Sequence, residues 1–448
     1  MKGDFLMSNS TKQDAVKLLD VFDPEMSGLL HREEKRQFET IGLIASENVV
    51  SPLASALEGS AFTNKNTEGY PGKRFVGGCQ LADQAELLAI ERVKKVFGAE
   101  HANIQSGNAT IANMAVLTGL LKKGDTFLAL ELDNGGHLSH GAKFHYSGRE
   151  FNALHYGVNK ETERIDMEQV RQMALENRPK LIVTGASSYP RAIDYKAFRE
   201  ICDEAGAYFW VDCAHDCGLI AGGAIPSPIP YADVVTMSTQ KTLRGPRGCG
   251  VILCREELGQ KIDRGVFPRL QGGPKGDMLA ARGVLFQELL QPEFKEYAKQ
   301  VCLNAKALAK GCKDEGMRLI TGGTDTHMVM LDVTPVIANG QEAETLLCSL
   351  GIITNKNMIP YDTLPPSLGS GLRIGSPTMT TRGAKEEEMY NIGRMLGRGL
   401  KNKDNPAVLD EIRQEVYKIA TSHPMFSSEW VSPVIREEFE KMYCHQTY

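Results

Sequence analysis

The sequence predicts an α/β fold: a large part with a mostly parallel central sheet covered by helices, followed by a smaller α+β part. Three observations point there. Short apolar runs, "DTFLALEL", "PKLIVTGAS", "AYFWVDCA", "DVVTMST" and "GCGVILC", recur between residues 125 and 254 and have the length and continuity of strands buried on both faces. Amphipathic segments such as "DYKAFREICDEAGA" separate the first of them and end in glycine, and strands alternating with helices imply a parallel sheet. Beyond about residue 290, "EFKEYAKQVCLNAKALAKGCKDEG" reads as one long helix leading into a smaller segment of mixed pattern. The expected division is an N-terminal arm over 1–45, a large domain over 46–295 and a small domain over 296–448 with an extended C-terminal tail.

The elements follow in order. "DQAELLAIERVKKVFGA" carries helical spacing and stops at Gly98, the residue type that ends helices most readily. "HANIQSGNATIANMAVLTGLL" opens a second helix, with Ser106, Gly107, Asn108 and Thr110 in the turn before Ile111, Met114, Leu117 and Leu121. The C-terminal "SSEWVSPVIREEFEKMYCHQTY" has a weak helical pattern and no assignable role.

Bulk composition excludes several classes. The 448 residues are 42% hydrophobic and 24% charged with a net charge of −5, which suits a soluble globular protein and gives no field to attract nucleic acid or anionic membrane. No apolar run reaches the roughly 18 residues of a membrane-spanning helix, and the start lacks a secretory pattern. Ten cysteines without C-x-x-C pairs or a Cys/His cluster read as reduced thiols, so no metal site is expected and a cytoplasmic location is.

In a parallel sheet, ligands bind beyond the carboxyl ends of the strands. Ser187, Asp212 and Lys241 all fall at or just after such ends. A lysine amine becomes nucleophilic when desolvation or positive neighbours lower its pKa, and it then condenses with carbonyls; the plainer reading is a strand-capping lysine that reaches solvent along its stem. Asp212 ends an almost wholly apolar strand and needs a cationic or hydrogen-bonding partner. A protonated pyridine nitrogen fits, as does ordinary helix capping. The turn at Ser106, Gly107 and Thr110 is a ready anion site at a helix start, although capping explains the same residues, and Ser238 and Thr239 offer further hydroxyls. Arg373, between glycines in "GLRIGSPTMTTRG", suits bidentate capture of a carboxylate. Together these favour a pyridoxal phosphate (PLP) enzyme acting on an amino acid.

The chain resembles the serine hydroxymethyltransferase family, PLP enzymes of the aspartate-aminotransferase fold (fold type I). The similarity runs from about residue 38 to 400 through "LIASEN" (43–48), "TEGYPGKRFVGG" (67–78), "GGHLSHG" (135–141), "VDCAHDCGL" (211–219), "KTLRGPRG" (241–248), "LQGGP" (270–274) and "SGLRIGSP" (370–377). The resemblance implies that Lys241 carries the cofactor as a covalent imine and that Asp212 pairs with its ring nitrogen. His137 would stack on the ring, and His215 would contact its phenolic oxygen or the substrate. Ser106, Gly107, Thr110, Ser187 and Ser238 belong to the expected cofactor site, with Gly272 and Gly273 reaching the phosphate from a neighbouring subunit. Ser46 and Arg373 would hold the substrate carboxylate. Glu68 would exchange a proton near the substrate hydroxyl and the folate, and Leu132, Leu138 and Asn357 would line a tetrahydrofolate site with Phe75 beside them. A homodimer is implied, with a tetramer left open.

The sequence departs from that pattern. Gln240 stands where the family has histidine, Asn66 and Val76 where it has two active-site tyrosines, Asn108 and Ala109 in the phosphate loop where it has Ser and Gly, and Asp216 and Cys217 where small apolar residues are usual. Two readings follow. In one, the Cα–Cβ bond of serine or a related β-hydroxy amino acid is cleaved or formed, with tetrahydrofolate as one-carbon acceptor. In the other, the same scaffold performs folate-independent PLP chemistry as an aldolase, racemase, decarboxylase or transaminase on another amino acid. A non-catalytic binding scaffold would have no need of Lys241 and Asp212, both of which are present.

Overall fold

A computed structural model of the chain describes residues 9–443, with side chains from residue 15. Seven strands form the central sheet: β1 (His101–Asn103), β2 (Thr126–Leu130), β3 (Asn152–Tyr156), β4 (Leu181–Thr184), β5 (Tyr208–Asp212), β6 (Val234–Ser238) and β7 (Gly250–Cys254), in the spatial order β1-β7-β6-β5-β4-β2-β3. β3, β2, β4, β5 and β6 are parallel, and β7 is antiparallel to both β6 and β1. Only β7 therefore runs against the rest.

The apolar runs are continuous because both faces of the sheet are covered. Successive side chains point to opposite faces: Phe209 and Val211 enter one core cluster with Tyr156, Phe198 and Phe286, whereas Trp210 enters another with Phe127, Val183 and Ile262. The helix Gln80–Phe97 stops at Gly98, whose φ of +71° closes the turn on the Lys94 carbonyl. The helix Ala109–Leu120 starts at Asn108, whose side chain accepts the Ile111 amide at 2.8 Å.

A second, antiparallel sheet of four strands, β8 (Arg318–Leu319), β9 (Met328–Asp332), β10 (Asn355–Asn357) and β11 (Gly371–Gly375), runs in the order β8-β9-β11-β10 over its own core. Ile41 and Leu43 join that core, and Ile41–Gly42 pairs in parallel with Ile352–Ile353. The helix Pro292–Asp314 spans both cores: Phe294, Tyr297, Ala298 and Val301 pack with the first, Ala305, Leu308, Ala309 and Cys312 with the second. The C-terminal segment returns to the first core through Phe426, Trp430, Val431 and Phe439, the last within a helix over Pro433–Tyr443. Among the described residues no helix is long and apolar enough to cross a membrane.

Candidate active site

The carboxyl ends of β2, β4, β5 and β6 open toward β11 of the smaller sheet, and the site lies between them. At the base, Asp212 ends β5, buried. Its Oδ2 accepts hydrogen bonds from Asn113 Nδ2 at 2.7 Å and from His140 Nε2 at 3.0 Å, and its Oδ1 accepts the Ala214 amide at 2.9 Å. Burial alone would raise this carboxyl's pKa; the His140 hydrogen bond and the positive field of the two histidines outweigh it, so the group sits well below the usual carboxylate range. The site therefore holds a buried anion at neutral pH. The neighbouring strand approaches so closely that a Cβ on Gly185 would lie 2.0 Å from the Asp212 carbonyl oxygen, and Gly185 has φ +112°. Only glycine fits there.

Lys241 follows β6. Its amine forms no hydrogen bond or ion pair among the described residues. Desolvation pushes its pKa below the ordinary lysine value, with Arg373 and Arg247 adding to the shift and the charge of Asp212 opposing it. Its backbone is fixed from a distance: Asn48 Nδ2 donates to the Lys241 carbonyl at 2.9 Å and contacts Tyr297 Oη at 2.8 Å, and Thr381 Oγ1 donates to Asn48 Oδ1 at 2.7 Å.

His137 and His215 flank this pair. Desolvation lowers His137 to about 4, helped by its neighbour His140, so the ring is neutral at pH 7; its Nδ1 meets Ser139 Oγ at 2.6 Å. His215 is buried and held well below its ordinary value by desolvation and by the charges of Lys241 and Arg373. Arg373, on β11, donates from Nη1 to the Ser187 carbonyl at 2.7 Å, from Nη2 to Ser46 Oγ at 3.3 Å and from Nε to Asn355 Oδ1 at 3.2 Å. Burial lowers its pKa to about 10, which leaves it charged.

The structure thus brings together Ser46, His137, Ser187, Asp212, His215, Lys241 and Arg373. Ser187 contributes its carbonyl oxygen. Ser106 lies beyond β1 with a buried hydroxyl that has no partner among the described residues, and the Gly107 amide is taken by Gln271 Oε1 at 3.0 Å. The hydroxyls of Ser238 and Thr239 donate to the carbonyls of Ala214 and Pro246, at 3.0 and 2.5 Å. Leu132 and Leu138 flank His137 in the loop after β2, and Leu138 is exposed.

Glu68, Gly272 and Gly273 form a separate cluster. The Glu68 amide donates to Asn66 Oδ1 at 3.0 Å, a Cβ on Gly273 would lie 3.0 Å from the Glu68 nitrogen, and Asn66 pairs with Lys275 through the backbone. The buried Arg74 guanidinium clamps this segment, donating to the carbonyls of Thr67 and Gly69 and pairing with Glu86 at 2.5 Å. Among the described residues no hydrogen bond or ion pair joins Glu68 to Lys241, Asp212 or Arg373. Asn357 lies at the far end of β10, its amide donating to the Met358 carbonyl at 2.6 Å. Phe75 is exposed, against Phe267 at 5.6 Å between ring centroids.

Sequence reasoning missed His140, Asn113, Asn355, Asn48 and His327. Asn113 left a trace, as a polar residue inside the otherwise apolar "IANMAVL". His137, His140 and Asp212 also set three potential ligand atoms within 4.8 Å of one another.

The residues fit PLP: an unpartnered lysine amine of lowered pKa, a carboxylate kept ionised in a buried site where a pyridinium would meet it, and an orphaned hydroxyl at a helix start. Fold and site together define a PLP enzyme of fold type I. The family model for serine hydroxymethyltransferase matches residues 19–396. A protein named serine hydroxymethyltransferase from Coprothermobacter proteolyticus is 51% identical over 404 residues, covering 90% of this chain and 97% of its own length. One of the same name from Koribacter versatilis is 49% identical over 420 residues, covering 94% and 97%. The chain belongs to the serine hydroxymethyltransferase family, and so to the PLP-dependent transferases.

Proposed function

We propose that this protein transfers the hydroxymethyl group between serine and tetrahydrofolate, cleaving or forming the Cα–Cβ bond of serine or a related β-hydroxy amino acid. The observation that carries the reading is the alignment of three groups: an amine at Lys241 without a partner, an ionised carboxylate at Asp212 and a charged guanidinium at Arg373 already touching Ser46. PLP, when bound, supplies an electron sink for a bond at Cα of an amino acid attached to it.

The protein's own contribution is positional and electrostatic. Lys241, desolvated, offers a neutral amine more often than a surface lysine does. Asp212 keeps a negative charge where the ring nitrogen would lie, backed by His140 and Asn113. Arg373 and Ser46 orient the substrate carboxylate, which fixes the bond at Cα that stands ready to break. His137 presents a neutral ring face to the cofactor, and His215 a nitrogen to the substrate side. Ser106 and Thr110 serve the phosphate, which Gly107 and Ser238 join on giving up their contacts to Gln271 and the Ala214 carbonyl; Glu68 handles the hydroxyl proton, and Leu132, Leu138 and Asn357 serve the folate.

The clustering of Glu68, Gly272 and Gly273 away from Lys241 supports a homodimer in which each subunit lends these residues to its partner's site. A cytoplasmic location accords with the reduced thiols. Relatives at about half identity favour this reading over the folate-independent one, which Gln240, Asn66 and Val76 had motivated. The deciding experiment is glycine formation from L-serine with and without tetrahydrofolate: folate-stimulated turnover is expected, and equal rates in both arms would overturn the folate assignment.

A further inference from the structure

Asp216 has no part in the reaction as described, yet it belongs to a chain of groups that ends at His215. His327, fully buried just before β9, directs Nε2 at two atoms: the Ala45 carbonyl oxygen at 3.2 Å and His215 Nδ1 at 3.3 Å. The two rings lie nearly parallel, 14° apart with centroids at 5.5 Å. A carbonyl can only accept, so the proton of His327 sits on Nε2, and Nδ1 is a lone pair. That Nδ1 is buried without a hydrogen bond and faces Asp216 Oδ1 at 3.8 Å, an ion-pair distance about 1 Å beyond a hydrogen bond. A lone pair facing a carboxylate is repulsive. A lone pair facing a protonated carboxyl is a hydrogen bond waiting on a small side-chain rotation, and the Asp216 side chain is 21% exposed.

We propose that Asp216 is a positioning residue for this reaction: acting through His327, its carboxyl group sets which nitrogen of His215 carries the proton presented to the substrate. The inference rests on the function proposed above. With Asp216 protonated, it donates to His327 Nδ1, His327 donates from Nε2 to His215 Nδ1, and the His215 proton is left on Nε2, which has no hydrogen-bond partner among the described residues. With Asp216 ionised, the lone pair and the charge repel, the His327 contacts to Ala45 and His215 weaken, and the His215 tautomer is no longer fixed.

The groups facing Asp216 come from several elements. Lys241, after β6, favours its ionised form, and Asp212 favours the neutral one. Tyr195, Cys213, Cys217 and Cys302 lie close enough that its charge raises their own pKa values. Burial dominates and lifts the carboxyl to about 7, while desolvation lowers His327 to about 3. The proton therefore rests on Asp216 below neutrality and leaves as the pH rises through 7.

The test compares holoenzyme of the wild type, Asp216→Asn and Asp216→Val. Asparagine keeps a donor toward His327 at every pH, and valine removes it. For the wild type, the ratio of kcat at pH 6 to kcat at pH 8.5 is expected to be at least threefold higher than for Asp216→Asn. Asp216→Val should be lowered mainly in kcat rather than KM. Histidine nitrogen NMR should show His215 protonated on Nε2 in the wild type at pH 6 and in Asp216→Asn at pH 6 and pH 8.5, and mixed tautomers in the wild type at pH 8.5. Superimposable pH profiles for wild type and Asp216→Asn, or a wild-type His215 tautomer that is the same at pH 6 and pH 8.5, would overturn the assignment. Failure of the serine assay in the wild type would instead remove the proposed function and leave the NMR result standing.

Discussion

Asn48 holds the backbone of Lys241: its side-chain amide donates to the Lys241 carbonyl at 2.9 Å, across 193 positions of sequence. The same amide group is tied to Tyr297 and Thr381, so the loop that carries the amine is fixed from three other parts of the chain. Replacing Asn48 by Ala is expected to slow turnover by about 10-fold or more, since a reacting group displaced by a fraction of an ångström loses much of its positional advantage. Single-turnover kinetics should place the loss in kcat.

Lys241→Ala removes the only amine at the centre of the site among the described residues. The visible absorbance of a lysine-bound PLP is expected to disappear from the purified protein, and turnover with it. A variant that keeps the wild-type spectrum after dialysis would show that another lysine carries the cofactor.

Asp212→Asn keeps the shape and removes the charge. The anion is held by His140 and Asn113 in a buried site, where electrostatic terms are large, so a fall in kcat on the order of 100-fold is expected. Reconstitution with a cofactor analogue bearing a permanently charged ring nitrogen should recover part of the rate.

Arg373→Lys retains a positive charge and loses the planar fork that also binds Ser187 and Asn355. Removing one charge-assisted hydrogen bond costs about 1.5–3 kcal/mol, so KM for the amino acid should rise by roughly 10- to 100-fold. The affinity for PLP itself, measured by titration of the apoprotein, should change little.

Arg74 and Glu86 form a buried pair whose guanidinium also clamps the carbonyls on either side of Glu68. Glu86→Ala leaves Asp83, at 2.8 Å from Arg74 Nε, as the one carboxylate still pairing that cation among the described residues, and a loss of about 1.5–3 kcal/mol of stability is expected in urea unfolding. Mixing Glu68→Gln with Lys241→Ala subunits tests the proposed sharing between subunits: hybrid dimers carry one intact site, so activity should return on mixing. Two inactive parents that stay inactive after verified exchange would count against it.

Much of the large sheet was legible because strands buried on both faces must be apolar throughout, and Gly98 marks a helix end by its left-handed backbone. The direction of β7 also has a local cause: the link over 239–249 is too short to house the helical crossover that a parallel neighbour needs. Lys241, Asp212 and Ser187 were found together because strand ends converge in such a sheet. His140, Asn113 and His327 were not, since their roles depend on contacts between segments far apart in sequence. The separate position of Glu68, Gly272 and Gly273 was legible only through the family resemblance, because nothing local in "TEGYPGKR" or "LQGGP" says which Lys241 they serve.

The helix Pro292–Asp314 anchors Phe294 and Tyr297 in one hydrophobic cluster and Leu308 and Cys312 in the other. The division drawn at 295/296 falls within its first turn. A gene cut at that point would break a shared rod instead of releasing two modules, and each fragment would expose apolar surface that only the other can cover. Expressed apart, the pieces are expected to precipitate; expressed together, they should find each other and restore the whole.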